Sequence, residues 1–258
     1  MNLVYGIALF LLAGLLVLAG ITRVQVWLIE RQHPPVGSFK TANKTRLHYV
    51  DTAPSGLSNS PTIVFLHGAS GNLNDQRMIY EPLLGDKARQ IFVDRPGHGY
   101  SSRGPGSNAY PDGQAATLAA LLDELNIEKA IIVGHSFGGA ITASFALNHP
   151  EKTAGTVFLS PVSHPWPGGI NWYYDFAAIP VIGRLFSETI ALPAGLSRIE
   201  SGTACVFAPN KPTADYAKSM GAKLVLRPSH FHDNAKDVAN LYDYVVKTSP
   251  RYSEIKTP

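Results

Sequence analysis

The stretch Ala130-Ile131-Ile132-Val133-Gly134-His135-Ser136-Phe137-Gly138-Gly139-Ala140 decides the fold. Four apolar residues without alternation lead into a G-x-S-x-G turn, and Phe137 to Asn148 then has helical character until Pro150 stops it. Strand, tight turn and helix in that order place a serine at a corner. A serine hydroxyl is a weak nucleophile, so a site that uses one must hold it exposed where a base can reach it. Gly134 and Gly138 remove side chains that would crowd the corner. The helix beginning at Phe137 also directs its first amide toward developing negative charge, which suits the Phe137 N–H to one half of an oxyanion hole. The competing reading is a glycine-rich turn without chemistry; the strand before it and the helix after it favour the nucleophile.

Three more apolar runs lie outward from this turn: Thr62 to Leu66, Gln90 to Val93 and Thr156 to Leu159. Each is short and does not alternate, as expected of strands covered on both faces. Within Asp112 to Leu125, Leu118, Leu121, Leu122 and Leu125 fall at i, i+3, i+4 and i+7, the apolar stripe of a helix. Strands alternating with helices predict an α/β fold, a mostly parallel central sheet with helices on both faces and its ligand site at the carboxyl ends of the strands.

Composition narrows the function classes. With 258 residues, 45% apolar and 16% charged, the chain can bury a large core and is not disordered. Its lone cysteine, Cys205, can form no internal disulfide and excludes a multi-cysteine metal cluster. Nineteen acidic residues face 22 scattered Lys and Arg, which argues against nucleic acid as a partner.

Leu3 to Ile21 runs for nineteen residues without a charge, about 28 Å as a helix and close to a bilayer's apolar thickness. This reads as a single-pass membrane helix. A cleaved signal peptide is the competitor, with Val17-Leu18-Ala19 as its cleavage site, but no Lys or Arg precedes the run. Arg23, Arg31 and Lys40 all follow it, so the positive-inside rule places the rest of the chain in the cytoplasm. The expected division is a membrane helix (1–22), a linker (23–45), a core (46–161), a lid (162–248) and the start of further core (249–258).

The elbow, the turn His67-Gly68-Ala69-Ser70-Gly71-Asn72 and the stretch Asp94-Arg95-Pro96-Gly97-His98-Gly99-Tyr100-Ser101 together resemble the α/β-hydrolase fold superfamily, in its serine-nucleophile branch with a helical lid. The likeness covers residues 46–161 well. It implies that the Ala69 N–H is the second oxyanion donor, that His67 shapes a turn, and that Asp94 to Ser101 is a structural loop. It makes His67, His98 and His135 structural rather than catalytic. Ser136, where epoxide-opening and halide-displacing relatives carry aspartate, points to attack on an ester, thioester or amide and an acyl-enzyme. Neither a cofactor nor a metal is implied.

A base and an acid should follow Ser136, and the family's patterns for them, G-x-D and Gly-His, do not occur there. Two readings compete. In the first, Thr203 to Ala208 and Lys223 to Leu226 are the last strands and His230 or His232 is the base, with Asp215 the only carboxylate between them. In the second, residues 162–248 are the lid, Ser249 to Pro258 approaches the acid-bearing strand, and the sequence is a fragment whose Thr156 to Leu159 strand is an open edge prone to association. The lid region holds Trp166, Trp172, Tyr173, Tyr174, Phe176 and Phe186, which suit either an apolar acyl pocket or ordinary lid packing. The resulting expectation is a membrane-anchored serine hydrolase for a small apolar acyl substrate. The alternative is a catalytically silent or truncated α/β-hydrolase-like domain with a binding or scaffold role.

Overall fold

The structure, a computed structural model, describes residues 2–52 and 61–258. The Met1 end of the expected membrane helix and residues 53–60 of the expected core lie outside it. Six strands form one sheet: β1 (Ser38–Ala42), β2 (Thr45–Thr52), β3 (Thr62–Leu66), β4 (Arg89–Val93), β5 (Ala130–His135) and β6 (Thr153–Leu159). Their order is β1-β2-β4-β3-β5-β6. The first two are antiparallel to their neighbours, and β4, β3, β5 and β6 run parallel. Leu66 pairs with both Val93 and Gly134, and Gly134 with Phe158, so the carboxyl ends of the parallel strands stop in one row. Whatever follows those residues is delivered to one rim of the sheet.

One face of the sheet is covered by α3 (Pro111–Glu124) and α4 (Phe137–Asn148). There Val64, Leu66, Ile91 and Ile132 meet Leu118, Leu121, Leu122, Ile141 and Phe145 in the main core, with Leu125 packed at its margin as the heptad-like stripe predicts. Phe65, Phe92 and Val133 form the opposite face with Leu73 and with Tyr80 of α2 (Asn74–Leu84). β6 differs from the other parallel strands. Only Thr153 and Gly155 in it are buried, and Val157 and Phe158 are exposed, because it lies at the sheet margin and is not covered on both faces. The Thr156 N–H and hydroxyl on its outer edge donate to the Pro258 carbonyl, at 2.8 and 3.2 Å.

Residues 162–248, the expected lid, contain helices and no strand: α5 (Trp172–Ala178), α6 (Pro180–Phe186), a π-helical turn (Ser187–Ala191), α7 (Leu192–Leu196), α8 (Ile199–Phe207), α9 (Tyr216–Ser219) and α10 (Pro228–Thr248). This corrects the two expected late strands. Thr203 to Ala208 lies mostly in α8, where the Thr203 hydroxyl donates to Ile199 O at 2.8 Å, and Lys223 to Leu226 lies in a 3-10 turn. Neither has a ladder partner, so their backbones are satisfied locally instead.

α1 (Asn2–Gln32) also departs from expectation. It continues about ten residues past Ile21, since nothing breaks it before Pro34-Pro35, and the expected linker shrinks to the residues between Gln32 and β1. Its last turns are docked on the lid. Ile29 is buried with Leu192, Leu224 and Leu226, Thr22 donates to Thr189 O, and Arg227 pairs with Glu30 at 2.8 Å.

Candidate active site

β5 stops at His135, α4 starts at Phe137, and Ser136 between them has φ 51° and ψ −114°. A β-substituted residue is costly there, on the order of 1–3 kcal/mol, so the surroundings must hold it. The Ser136 N–H donates to Leu159 O at 3.1 Å, while its carbonyl accepts from Gly139 at 2.9 Å and Val162 at 3.0 Å. Both elbow glycines are steric requirements. A β-carbon on Gly138 would lie 2.2 Å from Leu66 O, and one on Gly134 would lie 2.3 Å from Gly138 O. Ser136 is partly accessible, and among the described residues no hydrogen bond reaches its Oγ.

The His67 to Ala69 turn approaches this corner: a β-carbon on Gly68 would sit 3.1 Å from Ser136 Cβ. The Ala69 and Phe137 amides make no hydrogen bond among the described residues, and Phe137 is at the first position of its helix, where N–H groups have no internal partner. The next residue, Ser70, has φ 58° and is fixed from the lid. Its N–H donates to Asn234 Oδ1 at 2.8 Å, and its hydroxyl accepts from Asn234 Nδ2 at 3.1 Å and lies 3.1 Å from Tyr174 OH.

Three histidines near the rim have structural contacts. His67 Nδ1–H donates to Gly68 O at 2.9 Å and Nε2 accepts the Arg95 N–H at 3.0 Å; burial, then Arg95, holds its pKa well below the ordinary value. His98 Nδ1–H donates to Pro96 O at 3.2 Å while Nε2 accepts from Arg95 Nη2 at 3.1 Å, and burial lowers its pKa as well. His135 turns to Asp75, at 3.8 Å, whose other oxygen accepts from Tyr216 OH. Asp94 is structural too, its carboxylate accepting from the Leu73 and Tyr100 amides and lying 2.7 Å from His48 Nδ1.

His230 and His232 lie on α10 and not after a strand. His232 Nδ1–H donates to Ala177 O at 2.6 Å. His230 Nε2 accepts from Arg227 at 3.2 Å, and burial followed by the Arg227 charge pushes its pKa down to about 3. Neither ring is hydrogen bonded to Ser136, and Asp215 is exposed at the head of α9. The aromatic lid residues pack mainly on one another: Phe176 on Phe186, Trp172 on Tyr173, and Trp166 on Tyr242. Only Tyr174 reaches the Ser70 turn.

Sequence reasoning missed the polar cluster that joins α10 to the rim. Arg95 and Asp237 are fully buried and paired at 3.1 Å; Gln114 bridges them, and Arg103 Nη2 donates to Asp237 at 2.5 Å. Burial lowers the Arg95 pKa to about 10 despite Asp237. Asp233, 3.9 Å from Arg103, has its pKa raised to about 6, first by burial. The signal was available: Asn234 and Asp237 share the buried stripe of α10 with Val238, Leu241 and Val245. A cavity of about 430 Å³ lies elsewhere, between the end of α1, α2 and the 3-10 turn, lined by His33, Asn72, Arg77 and Tyr100 among others but not by Ser136.

Comparison with known proteins agrees with this architecture. A family described as alpha/beta hydrolase fold matches residues 61–184. The dihydrolipoyllysine-residue acetyltransferase component of an acetoin cleaving system from Cupriavidus necator is 35% identical over 101 residues, 39% of this chain but only 26% of that protein. The 2-hydroxy-6-oxononadienedioate/2-hydroxy-6-oxononatrienedioate hydrolase of Paraburkholderia phymatum is 26% identical over 228 residues, 86% of this chain and 75% of the relative. The crystal structure of Cfl2 from Burkholderia cenocepacia superposes with a TM-score of 0.66 at 22% identity, covering 84% of this chain and 74% of that one. The chain has the α/β-hydrolase fold, and its residues 61–184 match the family of that description.

Proposed function

We propose that the chain is a serine hydrolase that attacks an ester, thioester or amide carbonyl with Ser136. Its Oγ adds to the carbonyl carbon as a base removes its proton, and the oxyanion is received by the Ala69 and Phe137 amides. The leaving group departs protonated, and water then hydrolyses the acyl-enzyme. The observation that carries this reading is Ser136 itself, held at positive φ with an unbonded Oγ on the rim where the parallel strands end. A small-molecule substrate with an apolar acyl group is the class to assay first. The name of the Paraburkholderia relative adds a 2-hydroxy-6-oxo dienedioate, cleaved by hydrolysis, to the compounds to assay.

One observation favours a second reading. No described histidine is hydrogen bonded to Ser136, as expected of a silent relative that keeps the elbow for binding. Without a base, turnover falls by on the order of 10⁶, leaving the contribution of oxyanion hole and binding. Labelling with a fluorophosphonate separates the two. The hydrolase reading expects labelling that Ser136→Ala abolishes; folded protein that takes up no label supports the silent one. His232→Ala and His230→Ala are expected to leave labelling unchanged, because both rings are engaged within the lid.

The first twenty or so residues of α1 serve in this proposal as a single membrane span. Its 18-residue apolar window is unburied, and the basic residues that follow support a cytoplasmic domain.

A further inference from the structure

The lid carries an exposed apolar surface whose position relative to α1 says what covers it. Ile179, Val181, Ile182 and Leu185, at the turn into α6 and along it, are all exposed, Val181 at 79%. From Pro180 to Leu196 the lid forms one helix, bent 116° from α5. Its contacts with α1 come in one order: Thr22 and Arg23 meet Thr189 and Glu188, whereas Ile29, further along α1, packs on Leu192. Later residues of one helix meet later residues of the other, so the two run in the same sense. The start of α6 therefore projects toward the apolar, unburied end of α1. Arg23 and Arg184 are exposed at this level, where guanidinium groups can reach lipid phosphates.

We propose that the Ile179 to Leu185 surface is a second membrane contact, inserted into the headgroup and upper acyl region of the bilayer beside the point where α1 leaves it. This rests on reading α1 as the anchor. An apolar segment enters the interface when burial there removes it from water, and a docked span holds this one, start first, at the right height. The lid would thereby meet the lipid phase directly, and its partner is the bilayer, not a soluble protein.

The test uses the full chain in phosphatidylcholine and phosphatidylglycerol vesicles. The probe is an environment-sensitive fluorophore on V181C, or on E128C at the opposite end of the sheet, both in a Cys205→Ser background. Anchoring is scored separately by resistance to alkaline carbonate. The expected result is carbonate resistance together with a blue shift at position 181 and its quenching by brominated lipid, neither of which occurs at position 128. Ile182→Ser with Leu185→Ser, both exposed and outside the buried clusters, should reduce the shift while resistance persists. Resistance with a water-like probe at 181 overturns the lid contact and leaves the anchor standing. Extraction by carbonate overturns the anchor and the lid contact with it. Oxidative cross-linking of V181C between copies, with no quenching by lipid, assigns the surface to a second copy and also overturns the proposal.

Discussion

At the scale of single residues, the elbow works because two positions have no side chain. Gly138→Ala puts a methyl group on Leu66 O, a backbone atom that cannot turn away, so α4 must shift off the sheet. A loss of about 2 to 3 kcal/mol is expected in urea unfolding, with fluorophosphonate labelling of Ser136 lost in the protein that still folds. Asp233 makes a prediction of a different kind. Its folded pKa, about 6, is above its value of 3.8 in a free chain, so the folded state holds the proton more tightly. Stability is then expected to fall as pH rises from about 4 to 6 and to level off above, by on the order of 3 kcal/mol from this group. Asp233→Asn should flatten that part of the profile, measured by urea unfolding across the pH series. Ser136 and its glycines were legible because a tight corner leaves a local pattern. The helical stripe could place Asn234 and Asp237 on a buried face but not name their partners, because Ser70 and Arg95 are more than a hundred residues away and no local rule pairs them.

At the scale of elements, the four parallel strands and the helices α3 and α4 were readable within a few residues, since each carries its own periodicity or apolar run. The late segments misled for a physical reason. Cys205-Val206-Phe207 is apolar enough for a buried strand, yet Val206 is 79% exposed in α8, and what decides its state is the lack of a neighbouring strand. A short apolar run does not encode its ladder partner. α10 shows the reverse, a helix whose placement depends on charge. Asp237→Ala would strand the fully buried Arg95 with no other ion-pair partner among the described residues, and an expected cost of about 3 to 5 kcal/mol follows. Chemical denaturation measures that cost. Limited proteolysis should then cut residues 162–248 before the sheet, because α10 is the element that the lost ion releases.

At the scale of the whole molecule, the sequence showed an apolar helix but not that its last turns belong to the folded body. The contacts of Ile29 with Leu192, Leu224 and Leu226, together with those of Thr22 and Glu30 to Thr189 and Arg227, reveal this, and they link residues far apart in the chain. Ile29→Ala is expected to lower stability by about 2 to 4 kcal/mol in detergent, as a buried large-to-small change, whereas Leu11→Ala, exposed in α1, should leave thermal unfolding unchanged. The comparison shows whether α1 is a leash or a part of the body.

That docking has a mechanical consequence. A coil of ten residues would let a domain swing through a hemisphere above its attachment point, whereas α1 is about 46 Å long and leaves its lower third fixed in the protein. Under the membrane anchoring proposed above, a body mounted on such a mast would keep its height and aspect, drifting sideways and spinning about the vertical, so that its encounters would become a search over an area and not through a volume.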